Sequence, residues 1–354
     1  MSKIVQICTA VPPHRIDQAS ASKTVTQLFR NSGLDIDRLL PIFLNTEIEN
    51  RYISAPIEWY EHNHDFATKN ALFLETAIAL SEKAVAQVCD QANIAPDEID
   101  HVFMISTTGI ATPSIDAHLL NRLSFKSGIR RTPIWGLGCA GGVAGLSRAH
   151  DWLKAYPSKL ALVISLELCS LTFISNDRTR SNFVATALFG DGCAAALLAG
   201  DQHPHRNGRA IRIEDTAAVT WPDSLDVMGW DINDAGLKVI FSQSIPKIVQ
   251  ASARPVMQDF LNAHSLCMSD IDYFLSHPGG AKVIAAYINA LDLNERQVAD
   301  MRCILRDFGN MSSVTVLFVL EHFMRSGQYH SGARILSAAL GPGFSSEMLL
   351  ARSC

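Results

Sequence analysis

The stretch that decides the fold is Thr132-Pro133-Ile134-Trp135-Gly136-Leu137-Gly138-Cys139-Ala140-Gly141-Gly142-Val143-Ala144-Gly145-Leu146. Its apolar run from Pro133 to Leu137 is bounded by glycines and is typical of a buried strand. From Val143 onward, apolar residues recur at helical spacing. Cys139 therefore lies at a strand-to-helix elbow, where the surrounding glycines permit a tight turn that points the thiol into an open space.

A thiol in this position is a candidate nucleophile. The N-terminus of a helix carries partial positive charge and free backbone N–H groups, and both favour thiolate over thiol. The alternative is a small buried cysteine that packs at a turn. The choice between them depends on whether the chain supplies partners for Cys139.

The bulk composition excludes several classes of protein. The chain has 354 residues, 48% of them hydrophobic and 18% charged, which is common for a compact globular protein. Its net charge of −5 argues against nucleic acid as a principal partner. Its apolar stretches are too short to span a membrane and no signal peptide is evident, so we expect a cytoplasmic protein. The eight cysteines lack metal-ligand spacing, so we expect no metal site.

Strands and helices alternate along the whole chain. We expect strands over residues 3–9, 101–108, 133–137, 160–165, 193–198, 210–215, 273–276 and 334–340. We expect helices over residues 21–31, 34–43, 65–92, 115–123, 143–156, 244–264, 281–290 and 312–325, and a turn over residues 185–192. This alternation favours two α/β units that share one core, with a seam in the polar stretch 201–208.

Two residues of the second half are candidate partners for the thiol. His277 follows a strand and precedes a Pro-Gly-Gly turn, at the edge where strand ends converge in α/β sheets; a capping or core histidine is the alternative. Asn310 follows a glycine and precedes an apolar helix. An N-cap role alone would explain it, whereas in chemical terms its amide is a donor suited to a developing oxyanion.

Cys139, His277 and Asn310, in this order, resemble the catalytic residues of the thiolase-fold condensing enzymes. The sequence is most similar to the type III polyketide synthases of the chalcone synthase family, bacterial branch. The motifs that carry the resemblance lie at residues 138–142, 187–192, 277–280, 309–313 and 340–343. The family implies two similar α/β halves, residues 1–205 with the cysteine and residues 206–354 with the histidine and asparagine, packed as a five-layer αβαβα sandwich.

The resemblance implies an acyltransferase. A starter acyl-CoA would be loaded on Cys139, extended repeatedly by decarboxylative condensation with malonyl-CoA, and cyclised to a pyrone, a resorcinol or a related product. The family also implies coenzyme A thioesters as substrates, no cofactor and a homodimer. The substrate-binding residues that it implies are Thr107, Thr172, Phe189, Val239, Gly279, Gly280 and Ser312. Among these, Phe189 would be the gate between the CoA tunnel and the reaction cavity.

Some features depart from the family pattern or leave alternatives open. Trp230, Val239 and Leu340 differ from the plant members, so the pocket outline and the product do not follow from the family. Strand-end hydrogen bonding is the simpler expectation for Thr107 and Thr108. The candidate ligands for the CoA phosphates are Arg30, Arg38, Arg51 and Lys282. The alternative functions are a β-ketoacyl-carrier-protein synthase that performs one elongation, a cysteine hydrolase and an inactive acyl-CoA-binding scaffold.

Overall fold

The computed structural model describes residues 1–30, 33–204 and 210–354. The strands are β1 (Ser2–Ala10), β2 (His14–Asp17), β3 (Asn50–Ile53), β4 (His101–Ile105), β5 (Arg130–Ile134), β6 (Leu160–Leu168), β7 (Asp191–Gly200), β8 (Ile211–Thr220), β9 (Met228–Asn233), β10 (Gly236–Phe241), β11 (Tyr273–Phe274), β12 (Arg334–Gly341) and β13 (Ser345–Ser353). The helices are α1 (Gln18–Phe29), α2 (Ile36–Leu39), α3 (Pro41–Asn45), α4 (Phe66–Ala92), α5 (Ile115–Leu120), α6 (Gly141–Ala155), α7 (Arg180–Leu188), α8 (Ile245–Asn262), α9 (Ala281–Leu291), α10 (Ala299–Phe308) and α11 (Thr315–Ser326).

Nine of the described strands form one mixed sheet, in the order β11-β12-β13-β8-β1-β7-β6-β4-β5. The two halves of the chain meet where β1 pairs antiparallel with β8, for example Ile4 with Ile211. Helix α6 packs against β4, β6 and β7 of the first half and against β12 and β13 of the second. Helix α4 covers the other face of the first group, and α8 and α9 share a core with β12 and β13. These layers form the predicted αβαβα thiolase fold.

Helix α4 shows how local sequence sets the outer layer. The Asp65 carboxylate accepts a hydrogen bond from the Thr68 backbone N–H at 2.8 Å and caps the first turn. The apolar stripe of the helix, which includes Phe73 and Val88, is buried against β1, β6 and β7. The helix ends at Asn93, whose φ of 53° is left-handed. The helix predicted over residues 65–92 is confirmed, with its first residue as the cap.

Helix α6 lies close to its neighbours because glycines line it. A Cβ at Gly142 would overlap the carbonyl oxygen of Ser313, and a Cβ at Gly145 would lie 2.6 Å from Cδ1 of Ile105. Any larger residue at either position would clash with these atoms. Gly142 thus lets the first turn of α6 touch Ser313 in the second half of the chain, and Gly145 lets the helix lie against Ile105 of β4.

The structure corrects several expected elements. The strand before Cys139 is β5, which forms an edge of the sheet and is largely exposed rather than buried. Residues 34–43 form two short helices, because Pro41 begins a new one. Residues 185–188 end α7, and β7 begins at Asp191, so no separate turn spans residues 185–192. The hairpin β9–β10, helix α10 and strand β13 were not expected.

Two expectations fall partly on residues that are not described. The division between residues 205 and 206 lies outside the described residues, as does residue 31 at the end of the helix expected over residues 21–31. None of the helices in residues 1–30, 33–204 and 210–354 combines the length and the hydropathy that crossing a membrane requires.

Candidate active site

Cys139 lies in a 3-10 turn, Gly138–Ala140, directly before α6. Its residue surface is 8% exposed. Gly138 has a φ of +46°, and a Cβ there would lie 2.6 Å from Cδ of Pro342. A Cβ at Gly341 would lie 2.7 Å from the Cβ of Ala140. The Gly-Pro-Gly segment after β12 therefore supports the elbow from the second half of the chain.

A line of hydrogen bonds joins Cys139 to the segment around Asn310. The Cys139 thiol donates to Oγ of Ser312 at 3.4 Å. The backbone N–H of Ser312 donates to Oδ1 of Asn310 at 2.8 Å, and Nδ2 of Asn310 donates to the Gly279 carbonyl at 2.9 Å. A carboxamide has two N–H donors, so Asn310 keeps a second one for a ligand.

Backbone contacts fix the position of Asn310. Its N–H donates to the Leu188 carbonyl at 2.9 Å, and its own carbonyl accepts from the N–H of Gly190 at 3.0 Å. These bonds form a short parallel bridge between Phe189 and Asn310. The amide therefore does not cap α11 with its side chain. It is held between the end of α7 and the turn after His277.

His277 reaches the same region along β12. Its backbone N–H donates to the Ala338 carbonyl at 2.9 Å, and the hydroxyl of Ser276 accepts from the N–H of Ala338 at 2.8 Å. The end of this strand supports the Cys139 elbow through Gly341. His277 is 5% exposed, and its Nδ1 has no hydrogen-bond partner among the described residues. The ring thus retains a free polar atom in a buried position.

Burial sets the protonation of the thiol and the imidazole. It raises the pKa of Cys139 to about 12, while the hydrogen bond with Ser312 lowers that pKa and the charge of Glu167 raises it. Burial also lowers the pKa of His277 to about 4. Without substrate, the site therefore favours a neutral thiol and a neutral imidazole, and the thiolate expected from the helix terminus does not form. The cost of burying a charged sulfur outweighs the stabilisation from the partial positive charge, about half a unit, at the N-terminus of α6. A neutral imidazole can accept the thiol proton.

The sequence analysis did not identify Glu167, which is fully buried in β6. Its carboxylate accepts from the Thr107 N–H at 2.9 Å, from the Thr108 hydroxyl at 2.8 Å and from the Ser313 hydroxyl at 2.6 Å. Burial raises its pKa to about 7. An acidic residue within an apolar strand is the sequence signal that could have identified Glu167. The strand expected from the sequence ended at residue 165 and so did not include it.

One cavity adjoins the Asn310 segment at Gly279 and Gly280. It encloses about 940 Å³ including its mouth, and its walls include Lys282, Arg180 and Phe241. Ala281 and Lys282, the first two residues of α9, line this cavity, and the first N–H groups of a helix have no acceptor in a preceding turn. Of the four basic residues considered as ligands for the CoA phosphates, Lys282 is therefore the one that lines this cavity. The sequence analysis did not identify Arg180, which also lines it.

Arg51 is wrongly placed among the candidate phosphate ligands. Its side chain is buried, and its guanidinium donates to the carbonyls of Thr186 and Phe189 at the end of α7. Burial lowers its pKa to about 10, and Asp191 opposes this change. Arg51 therefore holds the segment that carries Phe189, and it lines the apolar cavity that adjoins Phe189 instead of the cavity at Gly279.

A second, mostly apolar cavity has Phe189 in its wall, whereas the neighbouring Leu188 lines the cavity at Gly279. It encloses about 650 Å³ including its mouth. Three residues expected to bind substrate line it, namely Phe189, Thr172 and Val239, together with Phe173 and residues of α1. Thr107 lines neither of these two cavities. Its hydroxyl donates to Glu167 at 3.3 Å, and its carbonyl accepts from Nε1 of Trp230 at 2.9 Å.

The chain is similar to known proteins over nearly its whole length. The models of the chalcone and stilbene synthase N-terminal and C-terminal domains match residues 1–202 and 213–354. The chain is 45% identical to the Bacillus subtilis (strain 168) protein named "Putative chalcone synthase", over 99% of this chain and 98% of that protein.

Two solved structures extend the comparison. The 1,3,6,8-tetrahydroxynaphthalene synthase of Streptomyces coelicolor A3(2), a bacterial type III polyketide synthase, has a TM-score of 0.93 at 28% identity and 99% coverage of both chains. CsyB complexed with CoA-SH has a TM-score of 0.91 at 25% identity, over 99% of this chain and 100% of that one. A single-elongation carrier-protein synthase is thus not favoured. The chain belongs to the chalcone and stilbene synthase family and is a type III polyketide synthase, an acyltransferase of the condensing-enzyme class.

Proposed function

We propose that the chain transfers a starter acyl group from coenzyme A to Cys139 and extends it with malonyl-CoA, with His277 and Asn310 as the other catalytic residues. The observation that carries this proposal is the hydrogen-bonded connection from Cys139 through Ser312 to Asn310. We also retain residues 1–205 and 206–354 as the two structural halves.

In the loading step, the sulfur of Cys139 attacks the thioester carbonyl of the starter while His277 accepts the thiol proton. The C–S bond to coenzyme A breaks, and His277 gives the proton it accepted to the departing sulfur, so that coenzyme A leaves as its thiol. Covalent catalysis of this kind divides one difficult transfer into two easier ones. The unpaired Nδ1 of His277 supports its role as the base, and the lowered pKa keeps the imidazole unprotonated, so that it has a lone pair for the proton.

In the condensation step, malonyl-CoA loses carbon dioxide and leaves an enolate. Its oxygen requires hydrogen-bond donors that are already in place, because such donors stabilise the developing charge without reorganisation. The second N–H of the Asn310 carboxamide is suited to this role, as is the one N–H that the neutral imidazole of His277 carries. The enolate carbon attacks the acyl group on Cys139, the thiolate leaves, and the longer chain is carried on coenzyme A into the next round.

The two cavities suggest where each part of the acyl-CoA substrate binds. Gly279, Gly280, Lys282 and Arg180 would hold coenzyme A, because backbone N–H groups and two cations suit its phosphates. The apolar cavity beyond Phe189 would hold the acyl group, with Phe189 between the two spaces. This mechanism needs no cofactor other than the coenzyme A of the substrates. After several extensions, we expect cyclisation to a pyrone, a resorcinol or a related ring.

We further propose a homodimer that forms along β5. This strand is an edge of the sheet, so its outer backbone groups are open to another strand. Trp135, which follows it, is 50% exposed, and nearby Ile110 is 42% exposed. Nε1 of Trp135 donates to the Gly109 carbonyl at 3.1 Å, which fixes this apolar surface in place.

The deciding experiment supplies the purified protein with carboxyl-labelled malonyl-CoA and a panel of acyl-CoA starters, followed by mass spectrometry of the products. We expect labelled carbon dioxide, products longer than the starter by several two-carbon units, and an acyl adduct on Cys139 that Cys139→Ala lacks. A single β-keto product that forms only on carrier protein would instead indicate one elongation. Absence of labelled carbon dioxide would indicate a binding scaffold.

A further inference from the structure

The hairpin β9–β10 borders both cavities but is not part of the large sheet. Its strands pair only with each other among the described strands. Val239 of this hairpin lines the apolar cavity, and Phe241 lines the cavity at Gly279. Trp230, which pairs with Val239, donates to the Thr107 carbonyl. Because an isolated two-stranded hairpin is marginally stable in water, its position depends on contacts with the rest of the protein.

Lys69 of α4 supplies an unusual contact of this kind. The residue is 5% exposed, and its Nζ donates to the Phe173 carbonyl at 2.7 Å and to the Ala235 carbonyl at 3.0 Å. Burying an amine is unfavourable unless its N–H groups are satisfied. Burial lowers the pKa of Lys69 to about 8, with Asp65 opposing the shift. The neutral amine would still have two N–H donors for the two carbonyls.

The turn of the hairpin is built to present its carbonyl to Lys69. The side chain of Asn233 accepts from the Ala235 N–H at 3.0 Å, which fixes the conformation of the turn. Gly236 has a φ of +125°, and a Cβ there would lie 3.7 Å from Phe66 and 3.9 Å from Nζ of Lys69. The turn therefore packs directly on α4.

The second carbonyl belongs to another segment of the wall of the apolar cavity, which contacts β10. Phe173 lines this cavity and follows the 3-10 turn Cys169–Thr172, of which Cys169 and Thr172 also line it. Val239 lines the cavity from the hairpin. One buried amine thus joins two neighbouring segments of the cavity wall.

We propose that Lys69 is a positioning residue for starter selection: it holds the β9–β10 hairpin against the segment 169–173 and so fixes the width of the apolar cavity. This inference rests on the proposed function, because it takes the acyl group as the occupant of that cavity. Without the two hydrogen bonds, the hairpin moves outward. The cavity then accepts bulkier acyl groups and binds narrow ones less well.

The test compares Lys69→Met, which cannot donate, with Lys69→Arg, which can, and with Lys83→Met, an exposed position on the same helix. Hydrogen exchange is measured over residues 228–241, together with kcat and KM for narrow and bulky starters and the rate of malonyl-CoA decarboxylation. For Lys69→Met, we expect exchange to rise about tenfold, KM for narrow starters to rise about tenfold and decarboxylation to stay within about twofold of wild type. Lys69→Arg should restore most of each change, and Lys83→Met should change none.

Unchanged exchange and starter preference in Lys69→Met would overturn the proposal. So would a uniform loss of every activity together with a lower Tm, since that pattern indicates a purely structural role. If Lys69→Met does not fold, Lys69→Gln, which keeps an N–H donor on a shorter side chain, is expected to give an intermediate exchange rate and an intermediate starter preference. A wild-type protein that exchanges slowly at the hairpin but forms no condensation product would refute the proposed function instead.

Discussion

The thiol of Cys139 and the hydroxyl of Ser312 are in hydrogen-bond contact, with 3.4 Å between Sγ and Oγ, although they belong to different halves of the chain. Ser312 has a φ of +49°, which is rare for a residue with a side chain. The same residue donates its backbone N–H to Asn310. This strained serine therefore links the two candidate catalytic residues.

Removal of the Ser312 hydroxyl should make Cys139 less reactive. The hydrogen bond lowers the pKa of the thiol, so Ser312→Ala raises it further. A typical hydrogen bond contributes about 0.5–1.5 kcal/mol, so we expect alkylation by iodoacetamide to slow about 2–10-fold at fixed pH. Ser312→Gly also lacks the hydroxyl but adopts positive φ without strain, so it distinguishes the effect of the hydroxyl from the effect of backbone strain. Equal slowing in both variants would support the role of the hydroxyl; normal reactivity in Ser312→Gly would exclude it.

Asn310→Ala should impair decarboxylation more than loading. Loss of one oxyanion donor typically costs about 100–1000-fold in rate. We therefore expect a loss of this size in carbon dioxide release from malonyl-CoA, and a smaller loss in acylation of Cys139 by the starter. Asn310→Asp serves as the shape control, since it retains an acceptor for the Ser312 N–H but not the amide donors. Wild-type decarboxylation in Asn310→Asp would contradict the donor role.

Glu167 should make stability depend on pH. Its pKa is raised from 4.5 to about 7 by burial, so the folded protein retains a proton that the unfolded chain loses. The stabilisation from this proton is fully present below pH 4.5 and is lost as pH rises through about 7. Each unit of pKa shift corresponds to about 1.4 kcal/mol, so the total is of the order of 3 kcal/mol.

Glu167→Gln removes this titration while preserving the size of the side chain. Urea unfolding at pH 5, 6, 7 and 8 should show a free energy of unfolding that falls less with pH in the variant than in wild type. Asp191, whose pKa burial raises to about 6, contributes a similar fall to both proteins and so cancels in the difference. Parallel curves for the two proteins would mean that Glu167 titrates normally in the folded state.

Gly142→Ala should separate α6 from the second half of the chain. The added Cβ would overlap the Ser313 carbonyl oxygen, which cannot move without disturbing Ser312. Overpacking of this kind costs about 1–3 kcal/mol, and we expect that loss in urea unfolding together with reduced acylation of Cys139. Gly229→Ala in β9 is the matched control, because its Cβ would have no atom within 4 Å. Equal destabilisation by both changes would argue against a steric cause.

Trp135→Glu should weaken the dimer. A carboxylate buried without a partner is strongly unfavourable, so we expect the dissociation constant to rise by about 100-fold in light scattering coupled to size exclusion. Leu225, which is 82% exposed and lies outside the β5 edge, provides the control Leu225→Glu. A dimer that survives Trp135→Glu but dissociates in Leu225→Glu would place the interface elsewhere.

Helices and turns whose signals come from neighbouring residues could be predicted from the amino-acid sequence. Helix α4 has a continuous apolar stripe, an aspartate cap and an asparagine end, so its bounds follow from residues close in the chain. The glycines around Cys139 likewise predicted an elbow, because few other residues permit that turn. The motifs around Cys139, His277 and Asn310 were also sufficient to indicate the family.

Which groups meet in the site, and how each is charged, depends on the packing of segments that are distant in the chain. Glu167 contacts Thr107, Thr108 and Ser313 from segments far apart in sequence, and Lys69 spans two loops that no local pattern relates to it. The thiol of Cys139 is neutral because it is buried, and burial is a property of the whole fold. Local sequence fixes backbone conformation, whereas desolvation and long-range hydrogen bonds depend on the packing of distant segments.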